Sequence, residues 1–413
     1  ASSISKNHTR SGKSEMTLYQ FRKLLSALWI LFLLVSCDNG GSGMMAGGGI
    51  GGTGVISRGT ITAFGSIMVN GTEFDTSNAA IVINGEELGV GDEIARESLD
   101  IGRVVIVEGT GDLDDTTTEA VRVTYNDNVR GPVESIQSID ATTQEIVVLG
   151  QIVVLNAVTR LEGTEFGSIA PNDFVEVSGF IDDRGAVRAT FLEKSGVFVP
   201  GTVVEVTGHV FNLNTQLQTF AINNLTVNYG SVASEDLLSR LSDNLLIEVE
   251  GTLDAGLGEL LATNIRLGDE PGVGNADQIE VLGFVTDVVS YFEFVVGNQT
   301  VRFDENTLFV DGTPADILLG AKLEAEGSLT NGILMANEIE FWGPDQIEIE
   351  GFVTDISSDT EFTVGNQVVQ TDADTVFESG TMQDIAPGIL IEIKGIPTDI
   401  DLNLIFADKV SFE

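Results

Sequence analysis

Any chemistry in this chain must come from a short inventory of side chains. Its single cysteine, Cys37, cannot form an internal disulfide, a CxxC redox pair or a zinc cluster. The two histidines are His8, in the N-terminal leader, and His209. A histidine-ligated metal centre and a Ser-His-Asp site are therefore nearly excluded. Carboxylates remain, and they gather at the tips of a recurring hairpin: Asp112, Asp114 and Asp115, then Asp182 and Asp183, then Asp254 and Glu259, then Asp399 and Asp401. Hard cations take oxygen ligands, so these tips are candidates for calcium, a polyamine or a basic protein surface. No tip carries the glycine that an EF-hand needs at its sixth loop position. The competing reading is that acids at turns serve solubility alone. Carboxylates are so abundant that no glycosidase-like pair stands out, and no phosphate-binding loop occurs. The expectation is a non-enzyme with no cofactor beyond calcium at the tips.

Charge narrows the partners further. Sixty-three acidic against twenty basic residues in 413 give a net charge of −43. That argues against nucleic acid, whose phosphates need a basic face, and against a polybasic grip on anionic lipid. With 42% hydrophobic residues the chain can still bury substantial cores. Such acidity fits either a salt-rich habitat or an acidic face for a partner.

At the N-terminus, Arg22 and Lys23 precede an apolar run from Leu24 to Val35 that meets Ser36 and Cys37. The run is too short for a spanning helix, which needs about twenty residues, and reads as a signal peptide. Leu34-Val35-Ser36-Cys37 resembles the bacterial lipobox, which implies that Cys37 is lipidated and becomes the first mature residue. The alternative is a plain signal peptide with an incidental cysteine. Residues 1–15, ahead of Met16, read as upstream translation or a fragment artefact. Removing residues 1–36 leaves 62 acids against 15 bases, a net −47. From Asp38 to Gly54, nine of seventeen residues are glycine, a flexible tether spanning roughly 20–25 Å.

The elements that must carry the hairpin tips are repeats. QIEVLGFVTDV (278–288) and QIEIEGFVTDI (346–356) align at an offset of 68, which persists through Gly327 and Gly395. Landmark residues then extend the pattern to five copies. An early glycine recurs at Gly59, Gly131, Gly208, Gly283 and Gly351, and a later one at Gly109, Gly179, Gly251, Gly327 and Gly395. Seven residues before each later glycine stands Gly102, Asn172, Asn244, Gly320 or Gly388, and each unit closes on Ala120, Ala189, Ala262, Ala336 or Ala407. Turn pairs at Asn70-Gly71, Leu149-Gly150, Asn223-Asn224, Gly297-Asn298 and Gly365-Asn366 split two earlier strands. RVVIVEG, LIEVEG and KLEAEG read as short strands, the last two alternating apolar and polar residues.

A long first strand, a hairpin, a short helical link and a second hairpin match the OB-fold, a five-stranded Greek-key barrel, better than an Ig-like sandwich. The expected fold class is all-β, a tandem array of five OB-like barrels packed end on end between neighbours. Repeat one, GTITAFGSIMVNGTEFD with LDIGRVVIVEG and EAVRV, resembles the bacterial family catalogued as domain of unknown function 5666. The resemblance covers most of residues 56–413, strongest in repeats one, four and five. It implies tandem β-rich repeats on exported or lipid-anchored proteins and brings no activity. The expected division is leader and signal peptide 1–36, lipidated cysteine and tether 37–54, and repeats 55–128, 129–196, 197–270, 276–343 and 344–413. The expected role is a lipid-anchored structural or interaction protein of the cell envelope, facing periplasm or cell surface. Its partners would be the membrane, through the lipid, and an envelope protein or polymer. The alternative is a module whose acidic tips bind cations or a basic protein.

Overall fold

The computed structural model describes residues 54–413 except 114–117, 234, 255, 257, 269–273, 366, 399–403 and 413. Cys37, Asp114, Asp115, Asp399 and Asp401 lie outside the described residues. The described chain is almost wholly β-structure arranged in tandem five-stranded barrels. Among the described residues no helix is long and apolar enough to cross a membrane.

The first unit shows how a ring closes. Its first strand, Gly54–Phe64, pairs antiparallel with Ile67–Val69, which pairs with Thr72–Asp75. The fifth strand, Thr118–Tyr125, lies parallel to that third strand and antiparallel to the fourth, Val104–Thr110, which returns beside the first. This is the OB-like cycle. It returns in the unit whose first strand is Val129–Ser138, in that of Ala276–Ser290 and in that of Ile347–Ser358. In the third unit the first strand divides at Val210 into Val204–His209 and Phe211–Asn214, one half pairing with the fourth strand and the other with the second.

The recurring residues each have a physical reason. The later glycine, on every fourth strand, faces a β-bulge whose extra residue lies in the fifth strand next to the recurring alanine. A Cβ there would stand 2.0 Å from the Met335 carbonyl oxygen at Gly327 and 2.1 Å from that of Leu261 at Gly251. The early glycine lets the first strand cross closely over the turn pair or the strand beside it, against Asn70 at Gly59 and Leu149 at Gly131. The first turn residue adopts positive φ in each unit: Asn70 at 49°, Leu149 at 48°, Asn223 at 48°, Gly297 at 57° and Gly365 at 58°. Leu149, an unfavourable residue for that conformation, is held there by a side chain fully buried over Gly131.

Two expectations need correction. A sixth short segment follows the third strand in four units (Ala80–Ile83, Arg160–Glu162, Leu308–Val310 and Val376–Glu378) and runs parallel to the fifth strand. The fifth strand is longer than the third, and the extra segment satisfies its remaining backbone groups. The helical link also varies: α-helices at Asp92–Ser98 and Glu235–Arg240, single 3₁₀ turns at Pro314–Asp316 and Met382–Asp384, and only turns in the second unit.

Barrel packing is not confined to sequence neighbours. Val55–Arg58 of the first unit pairs in parallel with Gln278–Val281 of the fourth, more than two hundred residues later. The second and third units join through Val129-Arg130 against Val206-Glu205, antiparallel. Ile56 thereby enters the fourth unit's core, while the second and third units share one continuous core. Phe180 of the second unit packs with Leu282, Phe284 and Trp342 of the fourth. The first strands of the first four units each pair with a strand of another unit as well as within their own barrel.

Candidate functional site

Among the described residues the acidic hairpin tips do not converge. Asp182 is buried and committed: it accepts backbone N–H bonds from Arg184 (2.9 Å) and Ala186 (3.0 Å) and pairs with the guanidinium groups of Arg184 (3.1 Å) and Arg188 (3.0 Å). It organises its own turn. Asp183 lies against Gly320 of the fourth unit. Asp112 accepts a bond from Gln278 Nε2 at 2.7 Å, tying the first unit's hairpin to the fourth unit's first strand. Asp254 receives the Gly256 N–H at 2.8 Å within its turn, which Glu259 closes through its backbone carbonyl. Among the described residues no group of three or more His, Cys, Asp or Glu side chains is placed to hold a metal ion.

The concentrated electrostatics lie between the barrels. Strand alternation places Glu205, Glu248, Glu250, Glu280, Glu324 and Glu348 on outward faces, and the outward faces meet. At the junction of the first three units, Arg103 is buried and pairs with Asp100 (3.2 Å), Glu176 and Glu193 (3.8 Å), stacked over Tyr125 and Phe191. Asp127, between the first two units, accepts the Tyr125 hydroxyl at 2.7 Å and the Asn84 amide at 3.1 Å. Glu205 accepts from Arg130 at 2.9 Å, Asn84 at 3.1 Å and Arg266 at 3.3 Å. Arg266 also pairs with Glu248 and, at 3.3 Å, Glu250. Acids outnumber bases here, so they cannot all ionise. Burial, with Glu248 and Asp127 close by, pushes the Glu205 carboxyl up to about 9. Burial likewise holds Asp127 well above the carboxylate range, reinforced by Glu176.

A second network joins the first, fourth and fifth units. Ser57 donates to Glu280 at 3.1 Å, and burial with Glu324 alongside raises the Glu280 carboxyl. Lys394 of the fifth unit pairs with Glu340 of the fourth and with Glu348 at 3.4 Å, and its ammonium lies 4.6 Å from the Trp342 ring centre. Lys322 donates to the Gln346 carbonyl at 2.7 Å across the linker, and burial pushes it down to about 8. Trp342 Nε1 is buried without a hydrogen-bond partner among the described residues, and Trp342 lines a cavity of about 80 Å³. A larger cavity, about 220 Å³, lies where the first four units meet and is lined by Arg58, Asp127, His209 and Asn298 among others.

A family model described as "Domain of unknown function (DUF5666)" matches four times in tandem, over residues 130–193, 200–266, 282–340 and 350–403. The chain belongs to the DUF5666 family. The DUF5666 matches include the second and third units, where the sequence resemblance is weaker, and begin after the first unit, where it is strong. That first unit nonetheless repeats the pairing cycle of its DUF5666 neighbours. No curated protein matches the chain.

The residues that hold the DUF5666 barrels together were not singled out from the sequence. One was legible: Asn84-Gly85, between IVI and EELGV, is a strong hairpin signal, with both residues at positive φ. That hairpin, Ala80–Ile83 with Glu86–Val90, delivers Asn84 between Asp127 and Glu205. The partners of the outward glutamates had no local signal.

Proposed function

We propose that the chain is a non-catalytic structural or interaction module of the bacterial cell envelope, anchored by lipid on Cys37. The glycine-rich tether would hold the barrels off the membrane, and an envelope protein or polymer would be their partner. The observation that carries the non-catalytic part of the reading is the commitment of the buried ion pairs at the junctions to joining barrels. Arg103, Arg130 and Lys394 each bridge two units. Support for the anchor comes from Leu34-Val35-Ser36-Cys37 after the basic and apolar leader. Metabolic labelling with a palmitate analogue should tag the wild-type chain and leave Cys37→Ala untagged. An untagged wild type would sink the anchor. Crosslinking on intact cells should then capture an envelope neighbour in the wild type and lose it when Cys37→Ala releases the chain.

A further inference from the structure

The 220 Å³ cavity between the first four units contains a feature that the ion networks around it lack. Arg58 leaves the first strand of the first unit, lines this cavity and reaches across to the fourth unit, where Nη1 donates to the Leu282 carbonyl at 3.3 Å. Its guanidinium carbon lies 5.4 Å from the Phe180 ring centre. Among the described residues no carboxylate stands within ion-pair distance of Arg58, in a chain with 63 acidic residues. Arg103, Arg130 and Arg266, at the neighbouring junction, each hold two or three. Burial pushes the Arg58 guanidinium down to about 10, with no carboxylate opposing the shift. A desolvated cation of this kind is stabilised by an anion.

The backbone leaves room for one. The first turn residue is Asn70, Leu149 or Asn223 in the first three units, but Gly297 in the fourth. A Cβ at Gly297 would lie 3.4 Å from Arg58 Nη1, so the space a side chain would fill is next to the guanidinium. Around the same cavity His209, Asn298 and Thr124 make no side-chain hydrogen bond among the described residues. Burial lowers the His209 pKa, so its imidazole is neutral at pH 7 and offers one donor and one acceptor. The volume falls below the roughly 300–1,000 Å³ of drug-sized sites, which limits the guest to a small molecule.

We propose that this cavity binds a small hydroxylated monocarboxylate, a free sugar acid, with its carboxylate on the fork of Arg58 and its hydroxyls on His209, Asn298 and Thr124. A guanidinium meets a carboxylate through two parallel N–H bonds, which selects an acid over the neutral sugar. The test is calorimetric titration of the whole chain with sodium glucuronate, against glucose and against sodium chloride at matched ionic strength. Saturable one-to-one binding of glucuronate and no binding of glucose are expected, with at least a tenfold loss in Arg58→Gln. Gly297→Asp is the second variant, since aspartate tolerates positive φ and Asn70 and Asn223 adopt the same conformation at the equivalent turns. It supplies Arg58 with an internal carboxylate and should keep the fold, raise the melting temperature and abolish glucuronate binding. Glucuronate heats equal to those of chloride or glucose would overturn the proposal, as would unchanged binding in Gly297→Asp. If Arg58→Gln does not fold, Gly297→Asp decides the matter alone.

Discussion

Replacing Glu205 by glutamine should flatten the pH dependence of stability by one proton. Glu205 is fully buried between the second and third units, faced by Arg130 from one side, Arg266 and Glu248 from another, and Asn84 and Asp127 from the first unit and its linker. Its folded pKa of about 9 stands above the ordinary 4.5, so folding takes up a proton. The stabilisation from that carboxyl is whole below about pH 4.5 and is lost as pH climbs toward 9. The slope is about 1.4 kcal/mol per pH unit, so about 3 kcal/mol separates pH 5.5 from pH 8. That is a measurable part of the 5–15 kcal/mol typical of a folded domain. Glutamine keeps the neutral form at every pH. Urea unfolding at constant ionic strength, from pH 5.5 to 8, should therefore give a wild-type stability that falls more steeply than that of Glu205→Gln. Exposed carboxylates are ionised throughout this interval and add little. His209, whose lowered pKa adds stability as pH rises through about 6.5, is common to both proteins and cancels in the difference. Parallel pH profiles for the two proteins would refute the reasoning.

Three further outcomes follow from the packing. Gly327→Ala forces a Cβ against the Met335 carbonyl at a bulge that cannot shift cheaply, and chemical denaturation should show a loss of about 1–3 kcal/mol. Phe362, fully buried in the fifth unit, should lose about 3–5 kcal/mol on truncation to alanine, read by the same method. Asp182→Asn removes a buried charge shared by the half-exposed Arg184 and Arg188, and about 1–3 kcal/mol should go with it. Because those arginines already neutralise Asp182, millimolar calcium should stabilise wild type and Asp182→Asn equally in a thermal melt.

Much of each barrel was legible residue by residue. The glycine and alanine landmarks recur because a bulge, a close strand crossing and a left-handed turn each admit few side chains, and such local constraints repeat wherever the unit repeats. Alternating residues in LIEVEG and KLEAEG named the inward set correctly, and Ile247, Val249, Leu323 and Ala325 are all buried. The extra segment beside the fifth strand of four units was not legible, since it depends on where a longer strand outruns its partner. The acidic tips also misdirected: Asp182 looked like an exposed ligand, and only its approach to Arg188 on the returning strand shows it engaged.

What the sequence alone determined is the repeated unit, its strand alternation and its turns, because these follow from contacts within about seventy residues. What only the tertiary structure decided is which outward faces meet. Val55–Arg58 finds Gln278–Val281 rather than a sequence neighbour, and that pairing turns Glu280, which alternation alone would assign to solvent, into the buried partner of Ser57. It also brings Arg58 beside Gly297, two residues whose relation no spacing in the chain expresses. A period-two pattern records the side of a strand on which a residue lies; it carries no information about what the other barrels place there.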